Sequence, residues 1–265
     1  MDALADSTAR SRLRTALLAL GLFPLLAGAS FRSTNFAVEA PTREIAQRVA
    51  LRAEECRTTI AKAWLGRELP SWSAACPVRV VITQGEAGGL TSFGFNQGRV
   101  TDQRMTVEGR LDRILASALP HEVTHTIFAS YFGGPMPRWA DEGASLLSED
   151  NRELRRHDEI AVNLLARRGE IPLSRLFIIE DYPRDLMSFY GQGYSVSRFL
   201  VEMGGRPRFL RFIRDGLNDG WDTSIRAHYQ LTNVRELDRA WKSWHRVAVA
   251  ARVEAAPEGL VAVHR

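Results

Sequence analysis

The hydrophobic pattern of this chain changes near residue 110, and that change limits the folds it can adopt. Before this point, short segments rich in β-branched residues, such as residues 78–83 (VRVVIT), are separated by glycine-containing turns. After it, apolar residues recur at helical spacing and are interrupted by Gly and Pro. Strands collected in one half and helices in the other predict an α+β fold: a small mixed β-sheet with a long helix, followed by a mainly helical C-terminal half.

The predicted elements follow this division. Apolar residues repeat at helical spacing over residues 42–65, which predicts the long helix, with Pro41 in its first turn. Strands are expected at residues 33–39, 78–83, 90–95 and 100–107. Further helices are expected at residues 110–131, 138–149, 152–168, 185–203, 207–215, 222–229 and 234–250.

The first 29 residues have the features of a secretory signal peptide. Arg10, Arg12 and Arg14 precede an apolar stretch at residues 15–26, and the small residues at 27–29 (AGA) form a cleavage site. The apolar stretch is shorter than the ~20 residues that span a bilayer. We therefore expect export to the periplasm or the extracellular space. An uncleaved N-terminal membrane anchor is the alternative.

The rest of the chain is expected to form one unit with two lobes. Residues 30–110 would supply the sheet and the long helix, and residues 111–252 the helical lobe. Residues 253–265 are expected to be a flexible tail. The sequence favours no particular oligomeric state.

Composition excludes two kinds of site. The 35 basic and 31 acidic residues leave a formal charge of +4, a surplus that indicates no nucleic-acid partner. Two cysteines cannot form a four-cysteine zinc site. In an oxidising compartment Cys56 and Cys76 are expected to form a disulfide bond between the long helix and the next strand. Two buried free thiols are the alternative.

A metal-binding motif of the H-E-x-x-H kind occupies residues 121–125 (HEVTH). Residues four apart on a helix differ by about 40° around its axis, so both imidazoles can bind one metal ion. Glu122 can take a proton from a water whose pKa zinc lowers toward ~7. The motif therefore predicts His121 and His125 as ligands of one Zn²⁺ per chain and Glu122 as the general base.

The surroundings of the motif suit a zinc site. Catalytic zinc usually has three protein ligands and one open position, and residues 137–144 (PRWADEGA) offer carboxylates for the third. Pro120 precedes the motif directly, where it either starts the helix or kinks it. The strand expected at residues 100–107 can offer an edge to an extended peptide.

The motif and the sequence after it resemble a gluzincin zinc metallopeptidase of the peptidase MA-like family, in the clan of aminopeptidase N and thermolysin. In that clan a W-x-x-E-G segment on the next helix supplies the third zinc ligand, and residues 139–143 (WADEG) match it. The resemblance implies Glu142 as that ligand and a zincin-like helical half. It covers roughly residues 105–245, and residues 30–104 more loosely.

A second segment, residues 189–205, resembles the Y-x-x-G…L…G-G helix of aminopeptidase N-like gluzincins. There the opening tyrosine donates a hydrogen bond to the tetrahedral intermediate. The resemblance implies this role for Tyr190, with Tyr194 as the alternative. Asp141 is either a hydrogen-bond partner of a ligand imidazole or a solvent-facing residue. The chain lacks the G-x-M-E-N motif that binds a free substrate N-terminus, which favours an endopeptidase.

Together these features predict an exported zinc metallopeptidase that acts on peptide or protein substrates. Glu122 would activate the water, and Tyr190 would stabilise the oxyanion. Two alternatives stay open. One is a catalytically silent zinc-binding or interaction domain of the same fold. The other is an amidase that cleaves cell-wall peptide crosslinks at the same metal centre.

Overall fold

The computed structural model describes residues 28–255, and the side chains of residues 28–247. A five-stranded mixed sheet with one long helix is followed by a mainly helical half, so the predicted α+β fold is confirmed. The strands are β1 (Ala29–Arg32), β2 (Phe36–Ala40), β3 (Cys76–Ile82), β4 (Gly88–Asn96) and β5 (Arg99–Gly109).

The sheet has the strand order β1-β2-β3-β5-β4. The three central strands run parallel, and β1 and β4 pair antiparallel at the two edges. The expectation that residues 100–107 offer a free edge is therefore wrong, because β5 is paired on both sides. Gln97 and Gly98 have positive φ angles that allow a tight hairpin turn, and this hairpin places β4 outside β5.

The long helix lies where the sequence predicts it. Thr42 caps it, since its side-chain oxygen accepts a hydrogen bond from the Ile45 N–H at 3.3 Å. Pro41 therefore precedes the helix and is not part of its first turn. The helices are α1 (Arg43–Leu65), α2 (Leu111–Arg113), α3 (Leu119–Phe132), α4 (Arg138–Leu146), α5 (Asn151–Ala166), α6 (Leu173–Leu176), α7 (Leu186–Gly204), α8 (Arg206–Asp219), α9 (Trp221–Tyr229) and α10 (Val234–Ala255).

Other boundaries differ from the predicted ones for local reasons. Only the second half of the strand expected at 33–39 is extended, as part of β2, because the chain turns at Ser33, whose N–H donates to the Phe36 carbonyl. The antiparallel strand before this turn, β1, was not expected. The short helix α6 was not expected. α10 continues to Ala255, so the first residues of the expected tail are helical; residues 256–265 lie outside the described range.

The predicted signal peptide lies outside the described residues except for Gly28 and Ala29, and β1 begins at Ala29. Within residues 28–255, no helix combines the length and the apolar character that crossing a membrane requires.

Two apolar clusters form the core, and α3 contributes to both. The first lies between the sheet and the helices α1 and α3, and it includes Val107, Val49 and Ile127. The second lies among the C-terminal helices and includes Trp139 and Phe128. Since neighbouring residues of α3 belong to different clusters, this helix lies where the two lobes meet.

The two cysteines are free thiols in the structure, so the expected disulfide bond is not formed. Cys56 on α1 and Cys76 at the start of β3 are each enclosed in the cluster beside the sheet. Burial raises the pKa of both thiols to about 11. Both are therefore protonated near neutral pH, which makes them inert packing residues.

Candidate metal centre

A π-helical turn, residues Ile114–Ala118, leads directly into the motif helix. The N–H of Leu119 bonds to the carbonyl of Ile114, five residues back. Pro120 follows in the first turn of α3, within helical backbone that is continuous from Leu111 to Phe132. Its missing N–H removes one bond from the ladder, and the carbonyl of Leu115, five residues back, accepts a hydrogen bond from Arg52 Nε at 3.2 Å. Pro120 therefore lies inside the helical run that carries the motif. Such π turns are frequent at functional sites.

Three predicted ligands lie together. The ligand atoms of His121, His125 and Glu142 are all within 4.8 Å of one another. Glu142 Oε2 is 3.5 Å from His121 Nε2 and 3.8 Å from His125 Nε2. Tetrahedral zinc with bonds of about 2.0–2.1 Å separates its ligand atoms by about 3.3–3.4 Å. The two separations from Glu142 are close to this value, and the three atoms, all within 4.8 Å, could bind one zinc ion after the side chains draw together.

The third ligand depends on a close helix crossing. A Cβ added to Gly143 would lie 2.2 Å from the Gly193 carbonyl, and one added to Gly193 would lie 2.6 Å from the Trp139 carbonyl oxygen. Only two glycines permit α4 and α7 to approach this closely. Trp139, stacked on Phe177 with ring centroids 4.6 Å apart, fixes α4 from the other side. This packing directs Glu142 toward α3.

Each histidine has a carboxylate behind it. Because Nε2 of each ring faces Glu142, Nδ1 carries the proton and donates outward. His125 donates to Asp141 at 2.8 Å and His121 to Glu149 at 2.8 Å. Such partners fix the tautomer and the ring orientation of metal-binding histidines. Of the two readings of Asp141, the structure supports the imidazole partner.

Glu149 was not predicted. It lies in the turn that follows α4, three residues after the helix ends at Leu146, so helical spacing gave no signal for it. Its second oxygen accepts a hydrogen bond from Ser117 on the π turn at 2.6 Å. The chain thus joins the π turn, Glu149 and His121 into one polar network.

Burial and charge pairing shift the pKa values of these groups in opposite directions. Burial alone lowers the pKa of His125, but the charge of Asp141 raises it to about 8. Burial also opposes the charging of His121, while hydrogen bonds with Glu142 and Glu149 raise its pKa well above the usual value. For Glu142 the burial effect is outweighed by both histidines, and its pKa falls to about 2. The site therefore favours a positive charge beside Glu142.

Glu122 is buried on the sheet side of the site. Thr91 of β4 donates a hydrogen bond from Oγ1 to Glu122 Oε2 at 2.5 Å. A Cβ on Gly89 would lie only 2.6 Å from Glu122 Oε1. The backbone of β4 therefore lies directly against the carboxylate, with no room for a side chain between them. Thr91 and Gly89 were not predicted, since no local pattern in the sequence places β4 beside the motif helix.

The two predicted tyrosines lie in different places. Tyr190, in the second turn of α7, is half-buried and lines the same cleft as the three candidate ligands. Burial, followed by the charge of Glu142, raises its pKa to about 12, so it keeps its proton as a hydrogen-bond donor. Tyr194 is fully buried, and its hydroxyl accepts a hydrogen bond from Arg198 at 3.2 Å beside a separate cavity. Tyr194 is therefore not the residue that faces the site.

A third tyrosine, which was not predicted from the sequence, contacts the candidate ligand Glu142 directly. Tyr182 lies in the loop between α6 and α7, and its hydroxyl donates to Glu142 Oε1 at 2.5 Å. Its ring lies edge-on to Tyr190, with centroids 6.2 Å apart. Burial and the hydrogen bond to Glu142 raise the pKa of Tyr182, so its hydroxyl remains a donor.

The three candidate ligands, Glu122, Tyr182 and Tyr190 line one cleft of about 1200 Å³ between the sheet and the helical half. β4 forms one wall, with Leu90, Phe93 and Phe95, and the segment around Ile178 and Met187 forms the opposite wall. Comparison of the sequence with models of known protein families and with curated proteins gives no match.

Proposed function

We propose that this protein is a zinc-dependent metallopeptidase of the gluzincin type. The proposal rests on one observation: His121, His125 and Glu142 bring three ligand atoms together beside the buried carboxylate of Glu122. Two histidines and a glutamate are a known ligand set of catalytic zinc. The resemblance of residues 139–143 and 189–205 to gluzincin segments supports the same assignment.

The side chains divide the reaction between them. When bound, zinc polarises the peptide carbonyl and lowers the pKa of water. Thr91 occupies Oε2 of Glu122, which leaves Oε1 to accept a proton from the attacking water and pass it to the leaving amine. Tyr190 donates a hydrogen bond to the oxyanion that develops on the carbonyl. Asp141 and Glu149 hold the two imidazoles in place.

The proposed substrate is an extended peptide that pairs with the outer edge of β4. This strand has a partner on one side only among the described residues, so its other side presents unpaired backbone groups. No acidic residue occurs in β4, so the strand offers no carboxylate to a free substrate N-terminus. This supports an endopeptidase over an aminopeptidase.

The cleft also favours apolar substrate side chains. Of the ten large apolar side chains that are exposed in the described part of the chain, seven line it. Exposed apolar residues concentrated at one place indicate a binding surface. The seven are Leu90, Phe95, Ile178, Tyr182, Leu186, Met187 and Leu217.

The test is to measure zinc content and peptide hydrolysis on the same preparations. We expect one zinc per chain, cleavage of casein, and loss of cleavage after chelation that added zinc restores. Glu122→Gln should keep the zinc and lower kcat at least about a hundredfold, because it removes the general base. Full activity in this variant would refute the mechanism.

Two other outcomes would identify the alternatives. Stoichiometric zinc without cleavage of any unfolded protein would indicate a silent zinc-binding domain. Cleavage of peptidoglycan fragments in preference to casein would indicate a cell-wall amidase. Protein without zinc would overturn all three readings.

Export is part of the proposal and rests on residues 1–29 alone. Expression with this segment intact should yield protein outside the cytoplasm whose first residue is Ser30. A mature chain that still begins with the arginine-rich segment would favour the uncleaved anchor.

A further inference from the structure

We propose that Tyr182 is a positioning residue for the third metal ligand, which it restricts to binding through one oxygen. This inference rests on the proposed zinc centre, and it concerns a loop outside the H-E-x-x-H motif and outside the two segments, residues 139–143 and 189–205, that carry the resemblance. Tyr182 lies 40 residues after Glu142 in the chain and reaches it from the opposite wall of the cleft.

The two oxygens of Glu142 have different surroundings. Oε2 faces the two imidazoles, at 3.5 Å from His121 Nε2 and 3.8 Å from His125 Nε2. Oε1 accepts the Tyr182 hydroxyl at 2.5 Å on the other side. A short hydrogen bond to a carboxylate is a strong one, because the acceptor is charged. The bond therefore holds Oε1 away from the ion and leaves Oε2 as the ligand atom.

This restriction has a chemical purpose. A carboxylate that binds zinc through both oxygens occupies two coordination positions, whereas one that binds through a single oxygen leaves a position open. Catalysis needs that open position for water or a substrate carbonyl. Outer partners of this kind commonly change metal affinity by 10–100-fold when removed.

Tyr182 is itself held from the helix that carries Glu142. The guanidinium of Arg138, on α4, lies 4.3 Å from the centre of the Tyr182 ring. The same side chain donates from Nε to the Glu180 carbonyl at 2.5 Å. Two residues of α4 therefore contact the loop at Tyr182. Arg138 packs on its ring, and Glu142 accepts a hydrogen bond from its hydroxyl.

The hydroxyl can be removed without removing the ring. Tyr182→Phe keeps the stacking on Arg138 and the packing in the cleft, so the metal-free protein should stay folded, with a Tm lowered only by the loss of one hydrogen bond to a carboxylate. Tyr131→Phe is the matched control. Tyr131 is another tyrosine under an arginine, with Arg214 at 4.0 Å from its ring, and its hydroxyl makes no hydrogen bond to a candidate ligand among the described residues.

Two readouts test the proposal without measuring activity. Competition with a chromophoric chelator gives the zinc Kd, which we expect to rise about tenfold or more in Tyr182→Phe and to stay unchanged in Tyr131→Phe. The visible spectrum of the cobalt-substituted protein reports coordination number. We expect the weaker absorption of a five-coordinate ion in Tyr182→Phe and the spectrum of wild type in Tyr131→Phe.

The outcomes separate this inference from the proposed function. Unchanged zinc affinity and an unchanged cobalt spectrum in Tyr182→Phe would overturn the role of Tyr182 and leave the peptidase proposal intact. A wild-type protein that binds zinc but cleaves no peptide would overturn the peptidase proposal, while the two readouts still decide the role of Tyr182. Wild-type protein that binds no zinc would overturn both.

Discussion

Thr91 Oγ1 lies 2.5 Å from Glu122 Oε2, so the edge strand of the sheet is hydrogen-bonded to the proposed general base. The contact joins residues 31 positions apart and connects the strand expected to hold the substrate with the group expected to activate water. A substrate that shifts β4 would therefore also shift the base.

Thr91→Val should lower kcat about tenfold, because it removes a hydrogen bond that orients the Glu122 carboxylate. Steady-state kinetics on a quenched peptide would measure the loss, and zinc content should not change. Thr91→Ser keeps the hydroxyl and should recover most of the rate. A Val variant as fast as wild type would show that the hydrogen bond is not needed.

Gly89→Ala should reduce activity strongly, because the new methyl group would lie 2.6 Å from Glu122 and displace it. Gly88→Ala is the matched control, since no atom lies within 4 Å of a Cβ at that position. We expect peptide cleavage to fall at least about tenfold in the first variant and to remain unchanged in the second. Equal activities would argue against the close approach of β4 to the base.

Glu149→Gln and Asp141→Asn should each weaken zinc binding by about 10–100-fold, because each removes the charged acceptor behind one imidazole. Chelator competition measures the effect. Glu55→Gln, on the exposed surface of α1, provides the control. If only one of the two variants weakens zinc binding, the carboxylate changed in the other variant is not needed to hold its histidine.

The metal-free protein should lose stability as the pH rises through about 8. The pKa of His125 is raised to about 8 in the folded chain, against about 6.5 when unfolded. Protonation therefore stabilises the fold fully below pH 6.5, and this contribution disappears as the pH passes 8. Tm of metal-free protein, measured between pH 6 and 9, should fall over this window, and Asp141→Asn should flatten the decline.

The zinc-bound protein should show the opposite pH dependence of stability, because zinc and protons compete for the same histidine nitrogens. The affinity for zinc is expected to increase over the pH window in which the metal-free protein weakens. A Tm of the metal-free protein that rises with pH would contradict the pairing of His125 with Asp141.

Gly143→Ala should destabilise the whole protein by about 3 kcal/mol, because its Cβ would lie 2.2 Å from the Gly193 carbonyl at the crossing of α4 and α7. Gly134→Ala is the control, since a Cβ at that position meets no atom within 4 Å. Urea unfolding of the two variants and of wild type measures the difference in the free energy of unfolding. A tolerated alanine at 143 would mean that the two helices separate at little cost.

Much of the site was predictable because it lies on one helix and on the next. His121, Glu122 and His125 follow from spacing alone, and Glu142 follows from a segment match 17 residues later. The elements of the helical half were also predictable, since apolar periodicity there is strong. The helix α6 was not, because four residues are too short for a periodic signal.

The missed residues share a different property. Thr91 and Tyr182 reach the site from a strand and a loop, and their positions depend on strand order and loop path. The sequence contains the strands that became β4 and β5, but no local pattern says which of them pairs with β3. The expected edge at residues 100–107 was wrong for that reason.

The position of α3 between the two apolar clusters has an energetic consequence. The motif helix buries Ile127 against the sheet and Phe128 against the helices, so neither lobe can move away without exposing core surface. Separating the lobes would therefore expose apolar surface of both clusters at once. His121 and His125 lie on this shared helix, so the proposed metal centre should keep its two histidines in place until the core itself opens.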